Sequence, residues 1–193
     1  INSKNIYGKI SIYYINEDSI FSENVKGIDD IKNIFEHLMK LDLQLVIIGD
    51  DDRNIEINDT GKDFSGRRYF EPFATLFRQK ESQYPGKFKY FEFSEEREYK
   101  AYMVSDILLM PSRDEACGTT QMLAMKHGVI PIVSSLPAFR DTVVDYAKVV
   151  SDMKDGHASG NSYANKGVGF YTFKDDCWIL LDVIRAVIEK YKE

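Results

Sequence analysis

Cys117, Gly118, Thr119 and Thr120 stand where an apolar run gives way to a helical pattern, with Glu115 just before them. Glycine and threonine at a helix start expose backbone N–H groups and hydroxyls to the positive end of the helix dipole, an arrangement that favours phosphate. The turn at Gly118, Thr119 and Thr120 is therefore expected to hold a diphosphate. A carboxylate is a poor neighbour for that group but a good acceptor for sugar hydroxyls, so Glu115 is assigned to a hexose rather than to the phosphates. The same threonines would also serve simply to cap a helix, and the local pattern leaves both readings open.

Other reactive side chains read more plainly. Asp50, Asp51 and Asp52 form an acidic run, but three consecutive side chains point in different directions, and no metal site is expected there. His37 and His127 fall within helical patterns and His157 in a polar stretch, none with a histidine four residues away, so no metal ligand is assigned. Cys117 and Cys177 lack CxxC spacing and are too few for a disulfide framework, which suits a reducing compartment. Arg67, Arg68 and Arg78 are read as the solvated face of a helix.

The elements that would position the turn are strands alternating with amphipathic helices. Short apolar runs rich in β-branched residues at 10–15, 43–48, 87–91, 106–110 and 129–133 read as strands. Helical spacing, as in Ile28, Ile31, Phe35 and Leu38, places helices at about 27–40, 66–82, 94–104, 118–127 and 175–191. This alternation predicts an α/β fold, a Rossmann-like doubly wound parallel sheet, in one domain over residues 1–193. In such sheets ligands bind beyond the carboxyl ends of the strands, so the loops at 49–53, 111–118 and 134–141 are the places for a site. The segment from Ser151 to Lys166, polar and without periodicity, reads as a mobile loop.

A net charge of -6 from 25 Lys and Arg against 31 Asp and Glu argues against nucleic acid as a partner. No apolar stretch approaches the roughly 18 residues that a bilayer span needs, and the first residues show no signal pattern. A soluble, cytoplasmic protein without a membrane partner is expected.

From Met110 to Tyr146 the chain reads MPSRDEACGTTQMLAMKHGVIPIVSSLPAFRDTVVDY. This stretch resembles the bacterial glycogen synthase and starch synthase family, retaining glucosyltransferases of the two-domain GT-B type. The residues that carry the likeness include Pro111, Ser112, Arg113, Glu115, Cys117, Gly118, Thr120, Gln121, Ala124, Met125 and Gly128. Pro131, Ile132, Val133, Asp141, Thr142, Val143 and Asp145 continue it. Weaker similarity extends to Lys26 and Gly27, to LVIIGDDD, to YPGKFKYFEFSEE and to KGVGFYTF. Leu123 stands eight residues after Glu115, where the broad sugar-transferase pattern has a second glutamate, and this favours the synthase pattern.

The resemblance implies that the chain is the C-terminal, donor-binding half of such an enzyme. It would transfer glucose from ADP-glucose or UDP-glucose to the non-reducing end of an α-1,4-glucan. Its own N-terminal GT-B domain would be a partner, and the isolated half would be inactive. Glu115 and Lys26 would be the catalytic residues, Glu115 on the glucose hydroxyls and Lys26 on the phosphates. Cys117, Gly118, Thr119 and Thr120 would line the donor pocket, and Phe93 would stack on the base. No cofactor or metal is implied. The cytoplasm is the expected compartment, or a plastid in a starch-storing organism.

Three departures from the family pattern bear on activity. The family places an arginine shortly before the Lys-Gly pair, whereas here no arginine precedes Arg53. The Thr-Gly-Gly-Leu turn becomes Leu136, Pro137, Ala138 and Phe139, which predicts a narrower pocket. Phe-Glu-Pro becomes Asp114, Glu115 and Ala116, which predicts a second carboxylate beside the sugar. These changes keep two alternatives open: a non-catalytic glucan- or nucleotide-binding regulatory module derived from a synthase, and a related GT-B transferase with another acceptor.

Overall fold

The computed structural model describes residues 9–16, 26–49, 73–154, 167–172 and 176–192. The chain forms β1 (Ile10–Asn16), α1 (Ile28–Leu38), β2 (Leu43–Gly49), α2 (Phe73–Gln83), β3 (Phe88–Glu92), α3 (Glu95–Val104) and β4 (Ile107–Met110). It continues through α4 (Thr120–Lys126), β5 (Ile130–Ser134), α5 (Pro137–Arg140), β6 (Val143–Asp145), α6 (Tyr146–Lys154), β7 (Gly167–Thr172) and α7 (Cys177–Lys192). The strands build one sheet in the order β3-β2-β1-β4-β5-β7-β6. All pairings are parallel, as in Ile12 with Leu45 and Tyr13 with Leu108. The expected doubly wound α/β sheet is therefore present.

Apolar runs become central strands because a parallel sheet is covered on both faces. On one side Ile10, Ile12 and Tyr14 of β1 pack with Ile31, Ile34 and Phe35 of α1, Phe77 of α2 and Leu181 and Ile184 of α7. On the other, Tyr13, Ile48 and Leu108 meet Ala101 and Tyr102 of α3 and Ala124 of α4. Phe35 is the aromatic centre of the first layer, 4.8 Å from the Phe88 ring. Helix α3 opens at Ser94, whose hydroxyl accepts from the Arg97 N–H at 3.3 Å. Three glutamates in its first turn suit the helix dipole.

The five strand expectations lie within a residue of the observed strands, but four elements were not foreseen. Strand β6 has three residues and α5 four, too short for a periodic signal. Strand β7, GVGFYT, is diluted by two glycines. Helix α6 takes in Ser151–Lys154, which corrects the reading of a loop beginning at Ser151; residues 155–166 lie outside the described residues. So do 66–72, with Arg67 and Arg68, and also Asp50–Asp52 and His157.

Arg78, expected on a solvated face, is 33% exposed and also makes tertiary contacts. It bonds Glu92 at 2.7 Å and lies 5.4 Å from the Tyr90 ring centre, tying α2 to the edge strand β3. Beside it, Glu81 accepts from the Tyr90 N–H at 2.5 Å and from Lys89 at 2.9 Å. At the opposite end of the molecule, Asp106 is 1% exposed and accepts from the Ser11 N–H at 2.8 Å and from the Tyr191 hydroxyl at 2.6 Å. Burial, and then the bond to Asp106, push the Tyr191 phenol up to about 12. Cys177 packs against the core beneath α1, and burial raises its thiol as well. Among the described residues no helix is long and apolar enough to cross a membrane.

Candidate functional site

The connections leaving β1 and β4 diverge to opposite faces of the sheet, because β1 is followed by neighbours on one side and β4 stands on the other. Such a switch point opens a crevice beyond the carboxyl ends of the two strands. A cavity of about 190 Å³ occupies this place. Its lining comes from the end of β1 (Tyr14), the entry to α1 (Lys26), the end of β4 (Met110) and the following loop (Ser112, Glu115, Cys117, Gly118, Thr119 and Thr120).

Two loops are pressed together to make it. Gly27 has φ 74, and a Cβ there would lie 2.1 Å from the Pro111 carbonyl oxygen, so only glycine lets the entry to α1 approach the loop after β4. Arg113 of that loop reaches back with one nitrogen 2.6 Å from Asp29 and another 2.9 Å from Asp30, both in the first turn of α1. This fork of charge-assisted bonds ties the loops and offsets two carboxylates that would otherwise burden an anion site nearby.

Lys26 and Glu115 meet inside the cavity. The Lys26 ammonium donates to Glu115 Oε2 at 2.8 Å, with side chains 22% and 12% exposed. The Tyr14 hydroxyl holds the Lys26 backbone by donating to its carbonyl at 3.2 Å.

The turn at Gly118 is set from behind. Gly118 has φ 62, and a Cβ would meet Gln121 Oε1 at 2.8 Å and the Phe139 ring at 2.9 Å. Gln121, fully buried, donates its amide N–H to the Gly118 carbonyl at 2.6 Å and to the Thr142 hydroxyl at 3.1 Å. Thr119 occupies the cap position of α4 without a side-chain capping bond, so the capping alternative does not describe its hydroxyl. Helix α4 begins at Thr120 and has seven residues, so the favourable field comes from N–H groups of its first turn more than from a long dipole.

Six of the seven expected site residues, Lys26, Glu115, Cys117, Gly118, Thr119 and Thr120, thus line one cavity. Phe93 does not line it. It follows β3 at the same end of the sheet, donates its N–H to the Gly49 carbonyl at 2.8 Å and packs, partly exposed, against the layer around Tyr13. Tyr14, Ser112 and the brace Gln121–Thr142 were missed. Tyr14 reads as strand core, and the brace joins residues whose contact depends on the tertiary fold. Asp114 is exposed and outside the cavity lining, so it does not join Glu115 there as a second carboxylate. None of Leu136–Phe139 lines the cavity: Pro137 opens α5, and Phe139 turns into the core with Val133 and Val143 behind the Gly118 turn.

Residues 21–159 match the family of glycosyl transferases group 1. The glycogen synthase of Desulforudis audaxviator (strain MP104C) is 32% identical over 170 residues, which cover 87% of this chain and 27% of that protein. The glycogen synthase of Bacillus cereus (strain ATCC 10987 / NRS 248) is 32% identical over 169 residues, 87% of this chain and 29% of that protein. The chain therefore spans less than a third of the length of these relatives. Among solved structures, the catalytic domain of starch synthase IV from Arabidopsis thaliana, bound to ADP and acarbose, superposes with a TM-score of 0.68 at 19% identity, over 96% of this chain and 32% of that one. An Anabaena protein in complex with UDP-glucose gives a TM-score of 0.56 at 13% identity, over 96% of this chain and 40% of that one. At such identities the structural likeness speaks to the fold, the Rossmann-like half of a GT-B glycosyltransferase. With a family match across most of its length, and with its cavity at the switch point of that fold, the chain belongs to the glycosyl transferases group 1 family.

Proposed function

We propose that this chain is the donor-binding half of a retaining glucosyltransferase of the glycogen or starch synthase type. It takes glucose from ADP-glucose or UDP-glucose and passes it to the non-reducing end of an α-1,4-glucan, in a cleft completed by an N-terminal domain. The observation that carries the reading is the meeting of Lys26 and Glu115, 89 positions apart, in one cavity with the Gly118 turn. A cation and backbone N–H groups suit a diphosphate, and a carboxylate beside them suits sugar hydroxyls. The relatives named glycogen synthase, and the neighbours bound to ADP and to UDP-glucose, support the same ligand class.

In this reading the N–H groups and hydroxyls of Gly118, Thr119 and Thr120 cradle the diphosphate, and Lys26 offsets the charge that grows on it as the glycosidic bond to the donor breaks. Glu115 orients glucose through its hydroxyls, so that the face presented to the acceptor is fixed before reaction. Cys117 forms part of the wall. Phe93, partly exposed at the same end of the sheet, stacks on the nucleotide base. The donor carries its own leaving group, so no cofactor or metal is required of this half. Without the opposing domain the chain binds donor and turns over little.

A second reading, a non-catalytic glucan- or nucleotide-binding module, is favoured by one observation: no arginine precedes Arg53 to share the diphosphate charge with Lys26. Calorimetric titration of the chain with ADP, UDP, ADP-glucose and maltooligosaccharides separates the two. Nucleotide-sugar binding that Lys26→Ala weakens about tenfold or more supports the first, since a charge-assisted bond is worth about 1.5–3 kcal/mol. Glucan binding with no response to any nucleotide overturns it.

A further inference from the structure

Within the cavity the two charges of the site meet. Lys26 Nζ lies 2.8 Å from Glu115 Oε2, and both side chains are largely withdrawn from water. A ligand that draws the Lys26 ammonium fully onto its phosphates separates this pair. What happens next depends on what else the ligand brings. A nucleoside diphosphate without its hexose brings no hexose hydroxyls to Glu115, and leaves a carboxylate facing added negative charge within a cavity of about 190 Å³. Removing one member of a partly buried ion pair is costly because the charge left behind is uncompensated. A diphosphate that still carries a hexose brings hydroxyls to Glu115 in place of the lost ammonium.

We propose that the Lys26–Glu115 ion pair is a selectivity latch. It opens at little net cost for a nucleoside diphosphate joined to a sugar, and closes against the nucleoside diphosphate left after the sugar has gone. This rests on the nucleotide-sugar reading of the site. The latch adds a consequence of its own: the pair re-forms as the hexose departs, and its re-formation competes with the spent diphosphate for Lys26, which favours product release.

The test is calorimetry on the 193-residue chain with ADP, UDP and their glucose conjugates, for the wild type, Glu115→Gln and Glu115→Asp, with thermal melts to establish that each is folded. Glutamine keeps the size of the side chain and an acceptor oxygen but removes the charge. The expected result is that Glu115→Gln binds the free diphosphate several-fold more tightly and the glucose conjugate about tenfold more weakly, so that the ratio of the two affinities falls by more than tenfold. Glu115→Asp retains the charge and is expected to show no tightening for the free diphosphate. If Glu115→Gln shifts both ligands in the same direction, or if Glu115→Asp tightens the free diphosphate as much as Glu115→Gln does, the latch is overturned while the nucleotide-sugar reading stands. If the folded wild type binds neither class of ligand, both fall together.

Discussion

Gly27 and Pro111 touch so closely that the missing side chain of one is the space taken by the other: a Cβ on Gly27 would stand 2.1 Å from the Pro111 carbonyl oxygen. This contact joins the start of α1 to the loop after β4 and sets Lys26 beside Glu115. The obstacle is backbone, which cannot turn aside as a flexible side chain can, and the left-handed φ of 74 adds its own penalty for any other residue.

Gly27→Ala is accordingly expected to cost about 3 kcal/mol or more in urea unfolding, by combining overpacking with backbone strain. Any folded fraction should bind nucleoside diphosphate more weakly, because the two loops must part. Wild-type stability in this variant would show that the approach is looser than described.

The brace behind the diphosphate turn gives a second prediction. Gln121→Leu removes the donors to the Gly118 carbonyl and the Thr142 hydroxyl from a fully buried position, at a similar side-chain size. A stranded buried acceptor costs about 1–3 kcal/mol. A lower melting temperature is expected, together with a several-fold loss of ADP affinity, since the N–H groups of the turn lose their fixed aim. Loss of stability with unchanged affinity would make Gln121 a purely structural residue.

The third concerns alkaline pH. Tyr191 has its phenol raised from 10.0 to about 12 by burial and by its bond to Asp106. The folded chain therefore holds this proton more tightly than the unfolded chain does. The stabilisation is complete below about pH 10 and disappears as pH rises through 12. Tyr191→Phe should be less stable than the wild type near neutrality, because Asp106 loses a donor, and the difference should shrink across that alkaline window. Unfolding free energies at pH 8, 10 and 11 check this, and a difference that does not change with pH would refute it.

The legible parts of the molecule were those with a local cause. LQLVII and DILLM announce buried parallel strands because both faces of such a strand are covered, and short, largely apolar runs suit that place better than a helix. The turn at Gly118 was legible because glycine and threonine have particular uses before a helix. Lys26 was assigned through family resemblance, and nothing in spacing links it to Glu115; the strand order brings them together. Tyr14 shows the limit most directly. Its ring packs against α1 as the alternation predicts, yet its hydroxyl reaches the Lys26 carbonyl only because the chain returns there. Asp114 erred the other way: it is adjacent to Glu115 in sequence and faces out of the site, since neighbouring loop residues need not share a direction.

Glu81 has a consequence for the protein in company. The outer margin of a sheet is a template on which a strand from another molecule can be laid, provided its outward amides are vacant. Here the amide of Tyr90 is already satisfied from within, and Lys89 beside it places an ammonium on the rim. A neighbouring chain would have to displace a carboxylate and bury a cation to extend the ladder. At this position the folded chain therefore resists extension of the ladder by an added strand.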